Sequence, residues 1–152
     1  MKLRKATIDE LDSIYAMGFD VWGDGLPFQE YLSHCRQSKK YQSGIWYVLT
    51  EQETVISSLI VYQDMFNLKQ DCFGIGSVAT SPSHRQKGYA SKLINLVKAK
   101  LFEEQHCKTL YLHSDINHKF YKKLGFTRIL DSNCMLCSND ESLFSSPIPY
   151  YF

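Results

Sequence analysis

Several absences narrow the field before any motif is read. No apolar run in the 152 residues approaches the ~20 that a membrane-spanning helix needs. Charge of one sign is missing too: 17 basic against 16 acidic side chains leave a formal +1. That balance argues against broad nucleic-acid binding, which normally needs a strongly basic face. The five cysteines (35, 72, 107, 134, 137) are odd in number and lack the spacing of a disulfide framework, which fits a reducing compartment. The lone C-x-x-C, Cys134 to Cys137, has no second pair, and strand positions three apart face opposite ways, so its thiols are expected to be structural. No histidine pair has zinc-ligand spacing beside a cysteine pair, so no metal is expected. Repeats, linkers and low-complexity tracts are missing, which predicts one domain over 1–152. Asp9, Glu10 and Asp12 fall where a signal peptide would have to be apolar, so the expectation is a soluble, cytoplasmic protein.

What is present is enough for a core. Apolar residues make up 44%, and a chain of this size buries roughly two-thirds of its surface on folding. Residues 2–6 read as a strand, and Thr7-Ile8-Asp9-Glu10 matches a capping box opening a helix through Leu11, Ile14, Tyr15 and Phe19. Gly23-Asp24-Gly25 breaks it; Pro27 starts a second helix ending near Lys39 and Lys40. The β-branched and aromatic runs 45–50 and 55–62 form a hairpin, and 72–80 is the next strand. Gly74 and Gly76 within it point to a bulge or a close approach to the backbone. From Gly88, the positions Ala90, Leu93, Ile94, Val97 and Leu101 trace one helical face. Strands at 109–113, 126–130 and 134–138 and a short helix at 117–124 complete the order β-α-α-β-β-β-α-β-α-β-β. The tail 147–152 is apolar but, with two prolines, irregular.

The segment 78–90, V-A-T-S-P-S-H-R-Q-K-G-Y-A, is the most informative. It runs from a strand through a short basic loop into the long helix. The first N–H groups of a helix lack intrahelical partners, and the helix dipole adds about half a positive charge there. Gly88 carries no side chain, so an anion can come close to the backbone. The site suits a phosphate.

Arg85-Gln86-Lys87-Gly88-Tyr89-Ala90 resembles the R-x-x-G-x-A pyrophosphate loop of the GCN5-related N-acetyltransferases (GNAT), which bind acetyl-coenzyme A. A second match lies downstream, where 113–126, H-S-D-I-N-H-K-F-Y-K-K-L-G-F, is similar to the family's F-Y-x-x-L-G-F signature, in the family's order and at about its separation. The resemblance implies an α+β fold: a mixed, mostly antiparallel sheet of six to seven strands flanked by about four helices. The fourth and fifth strands would run parallel and splay around the pantetheine arm. It implies an acyltransferase moving an acetyl group from acetyl-CoA to a primary amine by direct attack through a tetrahedral intermediate. A small amine or amino acid leads as acceptor, with a protein amino group next. A non-catalytic acyl-CoA sensor of the same fold is the alternative.

The resemblance also carries roles onto residues. The backbone N–H groups of Gln86, Lys87, Gly88, Tyr89 and Ala90, with Ser91, would hold the pyrophosphate, Arg85 and Lys87 adding charge. Val78 aligns with the strand residue whose amide faces the thioester carbonyl, and Ala79 and Thr80 continue that edge. Tyr121 aligns with the tyrosine beside the coenzyme's sulfur. A contact asparagine of the family corresponds to Ser114, so Asn117 takes that role only with a shift. A lysine-like amine is mostly charged at pH 7, and deprotonating it costs about 3.4 pK units, roughly 4.6 kcal/mol. A general base is therefore useful. Asp64, Asp71, Glu30 and His113 are open candidates, His113 and Asp64 ahead. Asp20, Asp24 and Glu30 surround the region where acceptors usually bind. The aromatic tail Tyr150-Tyr151-Phe152 is a candidate homodimer contact.

Overall fold

The computed structural model describes residues 1–140 and 147–152. Its strands β1 (Lys2–Lys5), β2 (Ile45–Glu51), β3 (Thr54–Gln63), β4 (Cys72–Thr80), β5 (Thr109–His113), β6 (Thr127–Arg128) and β7 (Cys134–Ser138) form one mixed sheet. The strand order is β1-β2-β3-β4-β5-β7-β6. The helices are α1 (Leu11–Met17), α2 (Phe19–Trp22), α3 (Phe28–Gln37), α4 (Lys39–Ser43), α5 (Tyr89–Glu104) and α6 (His118–Lys123). The chain divides into two compact units, Met1–Ile60 with Ser77–Leu93, and Val61–Gly76 with Ile94–Phe152. No helix among the described residues is long and apolar enough to cross a membrane.

In the first unit, β1 pairs antiparallel with β2, Lys2 opposite Thr50 and Lys5 opposite Tyr47. The predicted cap is present. The Glu10 carboxylate accepts from the Thr7 N–H at 2.9 Å and from the Arg4 guanidinium at 2.8 and 2.7 Å. Those bonds hold its pKa at about 2, with Arg4 the largest cause. One continuous first helix was the expectation; instead a 3₁₀ turn (Ile8–Glu10), α1 and α2 follow one another, with Gly18 between the last two. A side chain at Gly18 would overlap the Trp22 ring. α1 buries Ile14, Tyr15 and Met17, and α3 buries Tyr31, Leu32 and Cys35, with the Tyr31 hydroxyl donating to the Tyr15 carbonyl at 2.8 Å. The second predicted helix likewise divides: α3 stops at Gln37, and Ser38 caps α4 by accepting from the Tyr41 N–H at 3.2 Å. Gln52 and Glu53 both adopt positive φ between β2 and β3, the backbone that a tight two-residue hairpin turn requires.

In the second unit, β4 and β5 run parallel, Cys72 opposite Thr109 through Gly74 opposite Tyr111. That ladder covers three residues of each strand, although β4 runs on to Thr80 and β5 to His113. β7 pairs antiparallel with β5 along its whole length and with the two residues of β6. β6 is shorter than the predicted 126–130: the Phe126 N–H donates to the Tyr121 carbonyl at 3.1 Å instead of into the sheet, and beyond Arg128 the Ile129 N–H makes a last bond to the Cys134 carbonyl at 3.0 Å. Ile94, Val97 and Leu101 form the buried stripe of α5, as their spacing predicts.

The close approach expected at Gly74 is real. A side chain there would overlap the ring of Phe152, which is 6% exposed. That ring meets Tyr62 edge-on at 5.6 Å, stacks on Phe66 at 5.7 Å and meets His113 edge-on at 4.7 Å. The Tyr150 N–H donates to the Phe66 carbonyl at 2.7 Å. The irregular tail is thus fastened by its own aromatic ring, while Tyr150 and Tyr151 stay exposed.

Candidate functional site

In the first unit the informative segment forms a continuous track. Val78, Ala79 and Thr80 end β4 half-buried; Pro82–His84 make one 3₁₀ turn; Tyr89, Ala90 and Ser91 form the first turn of α5. Two residues of the connection are left-handed, Gln86 at φ +62° and Gly88 at φ +82°. A side chain on Gly88 would meet nothing within 4 Å, so open space lies over the backbone where α5 begins. The Gly88 carbonyl accepts from the Lys92 N–H at 3.1 Å, which sets the helix going. Gln86, Lys87 and Gly88 are exposed. No acidic side chain occupies the first turn, so nothing there offsets the positive end of the dipole.

Arg85 takes a part that the motif does not announce. Its Nε donates to the Thr80 carbonyl at 3.0 Å, and its Nη2 to the Met17 carbonyl at 2.9 Å. The guanidinium grips the Asp20 carboxylate in a fork, at 2.5 and 2.9 Å. The pairing lowers the pKa of Asp20 and raises that of Arg85. Arg85 therefore ties the loop to the end of α1 and to α2, with its charge matched in place, and Lys87 is the exposed cation of the loop. Asp20, expected to meet a cationic acceptor, is committed to this fork. His84 leans edge-on against Tyr89 at 6.1 Å and pairs through Nδ1 with the Ser83 hydroxyl at 3.1 Å.

The strand leading into the loop is pinned by residues that no motif flagged. The buried Ser57 hydroxyl donates to the Ala79 carbonyl at 2.7 Å and pairs with the Thr80 hydroxyl at 3.0 Å. The Ser81 N–H donates to the Ile56 carbonyl at 2.8 Å. Tyr41 of α4 pairs with Ser77 at 3.0 Å. These partners lie 20 or more residues away in sequence, where spacing carries no signal.

In the second unit, Tyr121 sits on α6, 9% exposed, between Phe120 and Phe126 at 5.0 and 6.1 Å. Burial pushes its phenol up to about 12, helped by the charge of Asp115, so the hydroxyl is protonated at neutral pH. Asn117 caps α6, accepting from the Lys119 N–H at 2.8 Å, and Ser114 closes on the Ile116 carbonyl at 2.8 Å. The base candidates of this unit have different surroundings. His113 pairs through Nε2 with the Tyr150 carbonyl at 3.1 Å and faces the tail's rings. Asp64 and Asp71 instead line a cleft of about 380 Å³ with Gln63, Gln70 and Gln105. Glu30, in the first unit, is exposed in the first turn of α3.

Residues 8–126 match the acetyltransferase (GNAT) family. No curated protein sequence matches the chain. Solved structures with the same fold include a GNAT family acetyltransferase from Brucella melitensis in complex with acetyl-CoA: 15% identity, TM-score 0.68, 99% of this chain and 92% of that one. A variant of the spermidine N-acetyltransferase SpeG from Vibrio cholerae is 19% identical, at TM-score 0.67, over 95% of this chain and 96% of that one. The ribosomal-protein alanine N-acetyltransferase from Escherichia coli is 16% identical, at TM-score 0.63, over 90% of this chain and 92% of that one.

Proposed function

Because the chain belongs to the acetyltransferase (GNAT) family, we propose that it is an N-acetyltransferase acting as a single domain on acetyl-CoA and a primary amine. The observation that carries this is the loop at the start of α5. Left-handed Gln86 and Gly88, open space over Gly88 and an undecorated helix mouth make an anion cradle of backbone N–H groups. Gln86 to Ala90 with Ser91 hold the pyrophosphate of the coenzyme, and Lys87 adds charge. Charge-assisted bonds of this kind are worth roughly 1.5–3 kcal/mol each, so four or five supply micromolar affinity after association costs. Arg85 contributes by fixing the loop.

The chemical step is attack of the neutral amine on the thioester carbonyl. The new C–N bond forms as the carbonyl π pair moves to oxygen; the nitrogen, now positively charged, gives one proton to a base or to solvent, and the oxyanion then collapses as the C–S bond breaks, leaving a neutral amide and a thiolate. The Val78 amide is assigned to the oxyanion, with Ala79 and Thr80 beside the pantetheine arm. Tyr121 is assigned to the thiolate. With its phenol at about 12, full proton transfer to a thiolate of pKa about 8.5 is uphill by roughly 5 kcal/mol. Tyr121 therefore acts as a hydrogen-bond donor to the leaving sulfur, and solvent supplies the proton. Asn117 orients the start of α6 near the coenzyme. His113 and Asp64 remain the leading bases for the amine.

The acceptor is a small amine or an amino acid first, a protein amino group second; the spermidine and protein-alanine enzymes of the same fold represent both kinds. The test is a panel of amines with acetyl-CoA, scored by thiol release and by the acetyl mass increment of the product. Turnover on any amine supports the assignment. Tight coenzyme binding without turnover on any amine makes the protein an acyl-CoA sensor, and no binding at all rejects both. Replacing Tyr121 by Phe is expected to slow turnover while leaving coenzyme affinity nearly unchanged.

A further inference from the structure

Within β4 (Cys72–Thr80) one residue has a positive φ: Ser77, at φ +48°. L side chains adopt that region rarely, and they are held there only where the surroundings over-determine it. Glycines stand nearby, at 74 and 76, and either would turn left-handed without strain. The chain places a serine at the turn instead, so the hydroxyl is what the position gains. Its partner is the Tyr41 hydroxyl, 3.0 Å away.

Tyr41 is well fixed. Its backbone N–H is tied to the Ser38 cap at 3.2 Å; its ring stacks on Tyr15 at 5.8 Å and meets Trp46 edge-on at 5.1 Å. Burial raises its pKa, which keeps the hydroxyl protonated at neutral pH. Beyond Ser77 the strand is already anchored, Ala79 and Thr80 by Ser57 and Ser81 by Ile56. Ser77 is the residue at which this anchored stretch begins. A left-handed residue re-aims the peptide groups on either side of it, and the following one carries the Val78 N–H.

We propose that the Tyr41–Ser77 hydroxyl pair sets the aim of the Val78 amide, which makes Tyr41 a positioning residue for the thioester carbonyl. The inference rests on the role of Val78 in the proposed function. It predicts a device that distinguishes acetyl-CoA from free CoA, since only the thioester offers a carbonyl to that amide.

The experiment needs no acceptor. Calorimetric titrations with acetyl-CoA and with CoA are paired with infrared spectra of acetyl-CoA labelled with ¹³C at the thioester carbonyl. Wild type is expected to bind acetyl-CoA more tightly than CoA and to shift the carbonyl band to lower frequency. Tyr41→Phe is expected to weaken acetyl-CoA about fivefold, the loss of one well-placed hydrogen bond, with CoA affinity unchanged and the band moved back toward its free position. Ser77→Ala should do the same, and the double variant no more than either alone. Ser77→Gly, which takes positive φ freely, should retain more of the shift than Ser77→Ala. An unshifted band in wild type, a wild-type shift kept in Tyr41→Phe, equal losses for both coenzymes, additive single effects, or no advantage of glycine over alanine would each overturn the inference while leaving coenzyme binding standing. Failure of wild type to bind either coenzyme would instead overturn the loop assignment, and the inference with it.

Discussion

Gly88 and Gly74 stand for two regions built on opposite reasons for having no side chain. At Gly88 the backbone is left-handed, at φ +82°, and the space above it is open. At Gly74 the φ is ordinary and the space is filled by Phe152. The first glycine leaves room for something outside the chain; the second makes room for the chain itself. A sequence shows the same letter in both places. What separates them is whether a methyl group would strike protein or solvent, and that decides which glycine belongs to binding and which to packing.

The sharpest way to break the comparison is a charge at the open position. Gly88→Glu is expected to abolish CoA binding, because a carboxylate would stand where the phosphate approaches; calorimetry showing wild-type affinity would remove the loop from the site. Next comes the filled position. Gly74→Ala should cost about 1–3 kcal/mol of stability by overpacking against the Phe152 ring, and Phe152→Ala about 3 kcal/mol by leaving a cavity. Chemical denaturation of the double variant should show hardly more loss than Phe152→Ala alone, since the methyl then has room. Additive losses would mean that the ring does not fill the space over Gly74. Gly88→Ala is the milder counterpart. No protein atom opposes its methyl, so folding loses only what the left-handed backbone costs, about 1 kcal/mol, while the methyl intrudes on the space left for the phosphate and should weaken coenzyme binding, though less than Gly88→Glu does.

The smallest effect lies away from both glycines. Glu10 is held at about 2 by Arg4, below the ordinary 4.5. Its contribution is therefore complete above about pH 4.5 and is lost as pH falls toward 2. For a pair this near the surface it is about 1 kcal/mol. Arg4→Ala should lower stability by that amount at pH 7 and by much less near pH 2, as read by denaturation at each pH. A difference independent of pH would show that Arg4 acts through packing instead.

The parts of this fold carried by local pattern were legible in the sequence. The capping box at Thr7, the break between the two runs 45–50 and 55–62, and the buried stripe of α5 depend on residues a few positions apart, and each appears where the pattern puts it; the left-handed pair Gln52 and Glu53 that makes the turn is a detail of the structure. Of the two readings of the β4 glycines, a bulge or a close approach, the close approach is found at Gly74. They did not reveal that the left-handed residue would be Ser77, because the hydroxyl that makes serine worthwhile comes from Tyr41, 36 residues earlier. The same limit applies to Arg85. Its motif names a basic residue before a phosphate, but the carboxylate that occupies it lies 65 residues away. Helix ends were misjudged where a side chain cuts in: Ser38 ends one helix and caps the next within a run that has helical composition throughout. The base for the amine was unreadable because it requires proximity, and Asp64 and His113 sit in different surroundings.

The central claim is that unpaired amides at the mouth of α5 hold the coenzyme's diphosphate. Titration of ¹⁵N-labelled protein with CoA, followed by amide chemical shifts, addresses those N–H groups one by one. The account predicts the largest shifts at Gln86, Lys87, Gly88, Tyr89 and Ala90, saturating together with the phosphorus resonances of the diphosphate. Saturation of the phosphorus signal while those five amides stay unmoved would contradict it.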